Sequence, residues 1–257
     1  MNLWENHMPF CDGSIAFTPY LTPYIVQGAK LGIVVCAGGG YAERADYEGR
    51  HYAQWLNTIG ISALVLEYRV APYKAPAICS DVQRAIRVAK KELVSYGVEK
   101  IGIMGSSAGG HLAAMASVHF DKEFYPPEDE TDRLSSRPDF TVLCYPVIDM
   151  YEHRHDNTRT NLIGRVPKKQ DKDFFSAHLQ VSDGTPPAFI WHTANDDGVA
   201  AVNSMLYATA LAECHVPYEL HIYPDGPHGL GLADTSTYVA QWKDALIRWL
   251  NTYILSE

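Results

Sequence analysis

Gly105-Ser106-Ser107-Ala108-Gly109 lies between a short apolar run, Lys100 to Met104, and a helix-forming run, His111 to Ala116. The pattern is G-x-S-x-G at a strand-to-helix junction. A turn this tight forces the central serine into a strained backbone conformation. It also needs small neighbours so that strand and helix can approach, and Gly105, Ala108 and Gly109 supply them. A chain that contains such a junction is built from strands leading into helices. The Ser107 hydroxyl would stand at the start of a helix, where partial positive charge favours a developing anion.

The rest of the chain repeats that rhythm. Leu31 to Ala37 reads as a buried strand, Tyr47 to Asn57 as a helix and Ile61 to Tyr68 as a second strand. Ala75 to Tyr96 reads as a long amphipathic helix stopped by Gly97. Beyond the Ser107 junction come strands at Asp139 to Tyr145, Ala188 to Thr193 and Tyr218 to Tyr223. Helices are expected at Ala201 to Cys214 and Thr235 to Tyr253. The weaker segment from Ile15 to Val26 is read as an edge hairpin. Strand alternating with helix implies a mostly parallel central sheet covered on both faces. At 257 residues, 47% of them hydrophobic, the chain suits a single α/β domain spanning 1–257. Two stretches break the pattern, Phe120 to Pro138 and Met150 to Ser182. Both follow strands on the ligand-binding side of such a sheet and are expected to be small loop insertions partly covering the site.

Composition narrows the partners. The formal net charge of −9, with no Lys/Arg stripe, argues against nucleic acid. No apolar run approaches the roughly 20 residues of a membrane span. The N-terminus has neither a basic nor an apolar leader region, so the expected location is cytoplasmic. The five cysteines are scattered and lack C-x-x-C spacing, as in reduced, mostly buried thiols.

A serine hydroxyl is a weak nucleophile near neutral pH and needs a base, which an acid must orient. In a strand-turn-helix arrangement of this kind the order along the chain is serine, acid, histidine. Asp196 and Asp197 both follow the strand at Ala188 to Thr193. Asp196 is preferred because it is nearer the strand end, leaving Asp197 as a loop or helix-start charge. His228, between Pro227 and Gly229, follows the last strand and is the expected base. His192 and His111 are expected to be structural. The loop Gly38-Gly39-Gly40-Tyr41 follows an early strand. Its backbone N–H groups, chiefly those of Gly39 and Gly40, together with that of Ala108, are candidates for an oxyanion hole. A nucleotide-binding reading of these glycines fails, since neither G-x-G-x-x-G nor a phosphate-loop lysine is present. His153-Arg154-His155-Asp156 has no further ligand cluster and reads as a solvated loop rather than a metal site. Arg69 is expected to tie loops together.

These residues resemble the α/β-hydrolase fold family over nearly the whole chain, and most of all its bacterial acetyl xylan esterase and sugar-ester deacetylase-like members. The likeness rests on Cys36 to Tyr41, Tyr68 to Pro72, Gly105 to Ala113, and Pro187 to Val199 with Gly226 to Leu230. Ala37 and Ala200 depart from residues common in relatives, and neither substitution removes a catalytic group. The resemblance implies Ser107 as nucleophile, Asp196 as acid and His228 as base. It also implies hydrolysis of a small ester, with an acetyl group on carbohydrate preferred, and no metal or organic cofactor. Tyr41 is expected to line the acyl pocket. A peptidase of the prolyl-oligopeptidase type and a non-catalytic binding module on the same scaffold are the alternatives, and a homo-oligomer is left open.

Overall fold

The computed structural model describes residues 1–4, 7–11, 13 and 17–256. Seven strands form one sheet in the order β1-β3-β2-β4-β5-β6-β7. They are β1 (Tyr20–Tyr24), β2 (Leu31–Cys36), β3 (Ser62–Glu67), β4 (Lys100–Ser106), β5 (Phe140–Cys144), β6 (Ala188–Thr193) and β7 (Tyr218–Tyr223). All neighbours pair in parallel except β1, which runs antiparallel to β3 with Tyr20 opposite Glu67.

The helices are α1 (Asp46–Thr58), α2 (Ala75–Leu93), α3 (Ser107–Val118), α4 (Asp156–Ile163), α5 (Lys169–Phe175), α6 (Val202–Glu213) and α7 (Trp242–Trp249). Successive strand side chains point to opposite faces, so a sheet covered twice needs apolar residues at every position. Val34, Leu64, Ile103, Leu143 and Ile190 pack beneath α2, α3 and α6. Ile33, Val35, Val65, Met104, Val142 and Trp191 face α1 and α7, where Trp191 stacks on Trp242 at 5.1 Å between ring centroids. This two-sided burial explains the continuous apolar runs of β2 to β6.

Two sequence expectations need correction. Within the described part of Ile15 to Val26 there is one strand and no hairpin; Ile15 lies outside the described residues. Tyr20–Tyr24 takes β3 and a bridge to Asn2 as its partners. Its proline, Pro23, is tolerated because this is an edge strand. The closing helix starts at Trp242, not at Thr235, after a single 3-10 turn at Val239–Gln241. Hydroxyl side chains compete with the backbone for hydrogen bonds in the stretch Thr235-Ser236-Thr237. The Ser236 hydroxyl accepts from the Val239 amide at 3.4 Å.

Arg69 joins elements as expected. It is fully buried and paired with Asp81 of α2 at 2.8 Å, and it donates further hydrogen bonds to Pro9 and Ala77 carbonyls. The carboxyl ends of β2, β4, β6 and β7 all open on one edge of the sheet. That edge is where ligands bind in open parallel sheets.

Candidate active site

Ser107 follows β4 directly and has φ +53, the left-handed region that a non-glycine residue enters only under constraint. The constraint is visible in its neighbours. A Cβ on Gly105 would meet the Gly109 carbonyl, and one on Gly109 would meet the Cys36 carbonyl, both well inside contact distance. The Ser107 carbonyl accepts the Val147 amide at 3.0 Å, which fixes the turn from behind.

His228 follows β7 and Asp196 follows β6. His228 Nε2 lies 2.9 Å from Ser107 Oγ, and His228 Nδ1 lies 2.8 Å from Asp196 Oδ2. With Nδ1–H donating to the carboxylate, Nε2 is left to accept a hydrogen bond from the Ser107 hydroxyl. The Asp196 side chain turns inward because its Oδ1 accepts the amides of Gly198 and Val199 at 2.9 and 2.8 Å. His192 Nε2 lies 3.2 Å from its other oxygen. Burial opposes ionisation of Asp196, but hydrogen bonds from His192, His228 and Val199 outweigh it and hold the carboxyl well below the usual carboxylate range. Asp197 is exposed, so of the two adjacent acids only Asp196 reaches the histidine. The His228 ring packs so close to Gly198 that a Cβ there would meet it at 2.8 Å.

The glycine loop after β2 brings Gly39 (φ +123) and Gly40 (φ +63) beside Ser107 at the mouth of one cavity. The Gly38 amide donates to Glu48 Oε2 at 2.8 Å and is thereby spent. The amides of Gly39 and Gly40 have no acceptor among the described residues. Ala108 sits in the first turn of α3, where a backbone N–H has no intrahelical partner. The cavity has a volume of about 630 Å³ and is bordered by Ser107 and His228, by Glu43 and Tyr47, and by His155, Asn157 and Asn161. A smaller cavity of about 200 Å³ lies at the opposite end of the strands, near Leu31 and Ile61, and contains none of these groups.

Tyr41 does not line this cavity, contrary to expectation. Its backbone has φ +58, which turns the side chain inward, and it is fully buried. Its hydroxyl lies 2.9 Å from His111 Nδ1, while His111 Nε2–H donates to the Phe175 carbonyl at 2.8 Å. Burial lowers the His111 pKa from 6.5 to about 4, so this α3 side chain is a neutral bridge between the glycine loop and α5.

The segment from Met150 to Ser182 does reach the site, through α4, but Phe120 to Pro138 does not: it follows α3 rather than a strand, is tied to α2 by Arg84, Arg87 and Lys90, and borders no part of the cavity. The reading of His153 to Asp156 as a solvated loop is too simple. His155 accepts from the Thr158 amide at the start of α4 and is half-buried at the cavity wall. Asn161 Nδ2 donates to the Gly40 carbonyl at 2.9 Å. Among the described residues no group of three or more His, Cys, Asp or Glu side chains is placed to hold a metal ion. Glu48, His155 and Asn161 carry no signal in their local sequence. Each meets the site through a contact distant along the chain.

The BD-FAE family model matches residues 21–211. The chain belongs to the BD-FAE family. This member is 44% identical to the acetyl ester-xyloside bifunctional hydrolase of Caldicellulosiruptor lactoaceticus, with a TM-score of 0.94 over 98% of this chain and 95% of that one. It is 34% identical to endo-1,4-beta-xylanase B of Butyrivibrio fibrisolvens over 91% of its own length and 38% of that protein's. It is 32% identical to the acetylxylan esterase of Xylanibacter ruminicola over 86% of its length and 45% of that protein's. The BD-FAE chain thus spans less than half the length of these two curated relatives. The mostly parallel sheet with helices on both faces is the α/β-hydrolase architecture, as expected. Among the described residues no helix is long and apolar enough to cross a membrane.

Proposed function

We propose that this BD-FAE-family chain is a carboxylic ester hydrolase that removes short acyl groups, acetyl above all, from carbohydrate. The observation that carries the reading is the continuous hydrogen-bonded line from Ser107 Oγ through His228 to Asp196 at the floor of an open cleft. Such a line moves a proton from the hydroxyl to the imidazole as oxygen attacks a carbonyl carbon. Asp196 holds the His228 tautomer and stabilises the imidazolium. The N–H groups of Gly39, Gly40 and Ala108 receive the oxyanion. His228 then gives its proton to the leaving alcohol, and water activated by the same imidazole releases the acid from Ser107.

Two observations support the choice of substrate. The names of the acetylxylan esterase and the acetyl ester-xyloside hydrolase report action on acetyl esters in those relatives. The cleft is in the size range that holds small ligands, and its walls carry His155, Asn157, Asn161 and Glu43, which suit hydroxyl groups better than a long alkyl chain.

The test is a p-nitrophenyl ester series of increasing chain length beside acetylated xylo-oligosaccharides. The expected result is a kcat/KM that is highest for acetate and falls with chain length, together with release of acetate from the sugar. Preference for long chains, or inertness toward acetylated sugar, would overturn the substrate assignment.

A further inference from the structure

We propose that Glu48 is a positioning residue, a buried carboxylate whose two oxygens hold the glycine loop and the His228 loop in register with each other. The proposal rests on the acyl-transfer reading above. Glu48 lies in α1, is 2% exposed, and is not needed for any proton transfer in that reading. Burying a carboxylate is expensive unless donors surround it, so its partners are informative.

One oxygen, Oε2, accepts the Gly38 amide at 2.8 Å, and the Gly38 carbonyl accepts the Ala45 amide at 3.0 Å. Both polar groups of Gly38 are therefore anchored, which fixes the direction in which the next two amides, Gly39 and Gly40, leave the strand. A side chain at Gly38 would strike Glu48 itself. The other oxygen, Oε1, accepts the Tyr145 hydroxyl at 2.7 Å. That hydroxyl in turn accepts the Gly231 amide at 2.9 Å, three residues beyond His228. The Tyr145 ring meets the His228 ring edge-on at 5.2 Å between centroids. Tyr145 itself has φ +38 at the end of β5, an unusual conformation for a bulky residue. One carboxylate therefore connects the loop proposed to receive the oxyanion with the loop carrying the proposed base.

Glu48→Gln keeps the shape but offers a single acceptor oxygen, and its amide group faces one of the two donors. One loop is released. With p-nitrophenyl acetate and enzyme concentration set by titration of Ser107 with a fluorophosphonate, kcat is expected to fall about tenfold to a hundredfold, KM staying within about threefold. The rate of Ser107 phosphonylation should fall in parallel, since that reaction also builds negative charge on oxygen. Tyr145→Phe keeps the Gly38 contact and releases Gly231, so a smaller fall in kcat is expected. It also carries the test if Glu48→Gln fails to fold. A kcat per titrated site within twofold of the unmodified enzyme, even with a lowered Tm, would mean that Glu48 is merely structural. So would a change confined to KM. Ser107→Ala separates the two claims: if it remains active the acyl-transfer reading fails, and if it is inactive while Glu48→Gln keeps a kcat within about twofold of the unmodified enzyme, only the positioning role fails.

Discussion

The Asn161 side-chain amide donates to the Gly40 carbonyl at 2.9 Å, across 121 residues of chain. This bond joins the C-terminal end of α4 to the glycine loop, and Lys74 fastens the same end by donating to the carbonyls of Thr160 and Asn161 at 3.1 and 3.0 Å. Asn161→Ala removes the only described side-chain contact to the Gly40 carbonyl. The expected loss of stability is about 1 kcal/mol, the net worth of one hydrogen bond. Activity should suffer more, with kcat on p-nitrophenyl acetate down about tenfold, because small displacements of a catalytic group are amplified in rate. An unchanged kcat would show that the loop holds its shape without α4.

Asp81 makes its strongest contacts with Arg69, and both are wholly buried. It also accepts the Trp4 indole N–H at 3.0 Å and the Arg69 amide at 2.9 Å. Asp81→Ala leaves a buried guanidinium without its counter-charge, and about 3–5 kcal/mol of stability should be lost. Urea unfolding measures this directly. A loss below about 1 kcal/mol would mean that water or a rearranged partner satisfies Arg69.

Stability should fall on mild acidification, and His111 is a main cause. Its pKa is about 4 folded against 6.5 for an unperturbed histidine, so between those values the unfolded chain binds the extra proton. The contribution is fully present above pH 6.5, is lost as pH falls toward 4, and amounts to ~3 kcal/mol. Burial also lowers the pKa of His119, His155 and His178, which adds to the same slope. Denaturant unfolding at a series of pH values should show this fall. His111→Gln should flatten part of it, and an equally steep slope in that variant would remove His111 from the account.

Gly109 leaves no room for a methyl group, since the Cys36 carbonyl occupies the space. The obstruction is backbone on a central strand and cannot rotate away. Gly109→Ala should therefore destabilise by about 3 kcal/mol or more, at the upper end of overpacking effects. A variant with wild-type Tm would mean that α3 can shift away from β2 at little expense.

The strand ends were legible in the sequence because β2 to β6 are buried on both faces and so read as unbroken apolar runs. Ser107 and Asp196 could be placed because each follows such a strand; His228 follows β7, a partly exposed edge strand, and is legible instead from its place after the acid in a Pro-His-Gly turn. The direction of a turn was not legible. Tyr41 follows the glycines as a pocket residue would, yet its positive φ sends the ring inward to His111. Long-range partners were hidden for the same reason. Glu48 looks like a surface helix residue until Gly38 and Tyr145 close on it, and Asn161 looks like an ordinary helix residue until Gly40 is beside it. The start of α7 is not legible in the sequence, because the Thr-Ser-Thr stretch fits a helical pattern while its hydroxyls favour a turn.

The nucleophilic role of Ser107 is tested most directly by the steady-state hydrolysis of p-nitrophenyl acetate by Ser107→Ala beside the unmodified enzyme. The geometry at Ser107 Oγ, 2.9 Å from His228 Nε2, predicts a fall in kcat of about 10⁴-fold or more with the protein still folded. Hydrolysis by Ser107→Ala at a rate near that of the unmodified enzyme would contradict it.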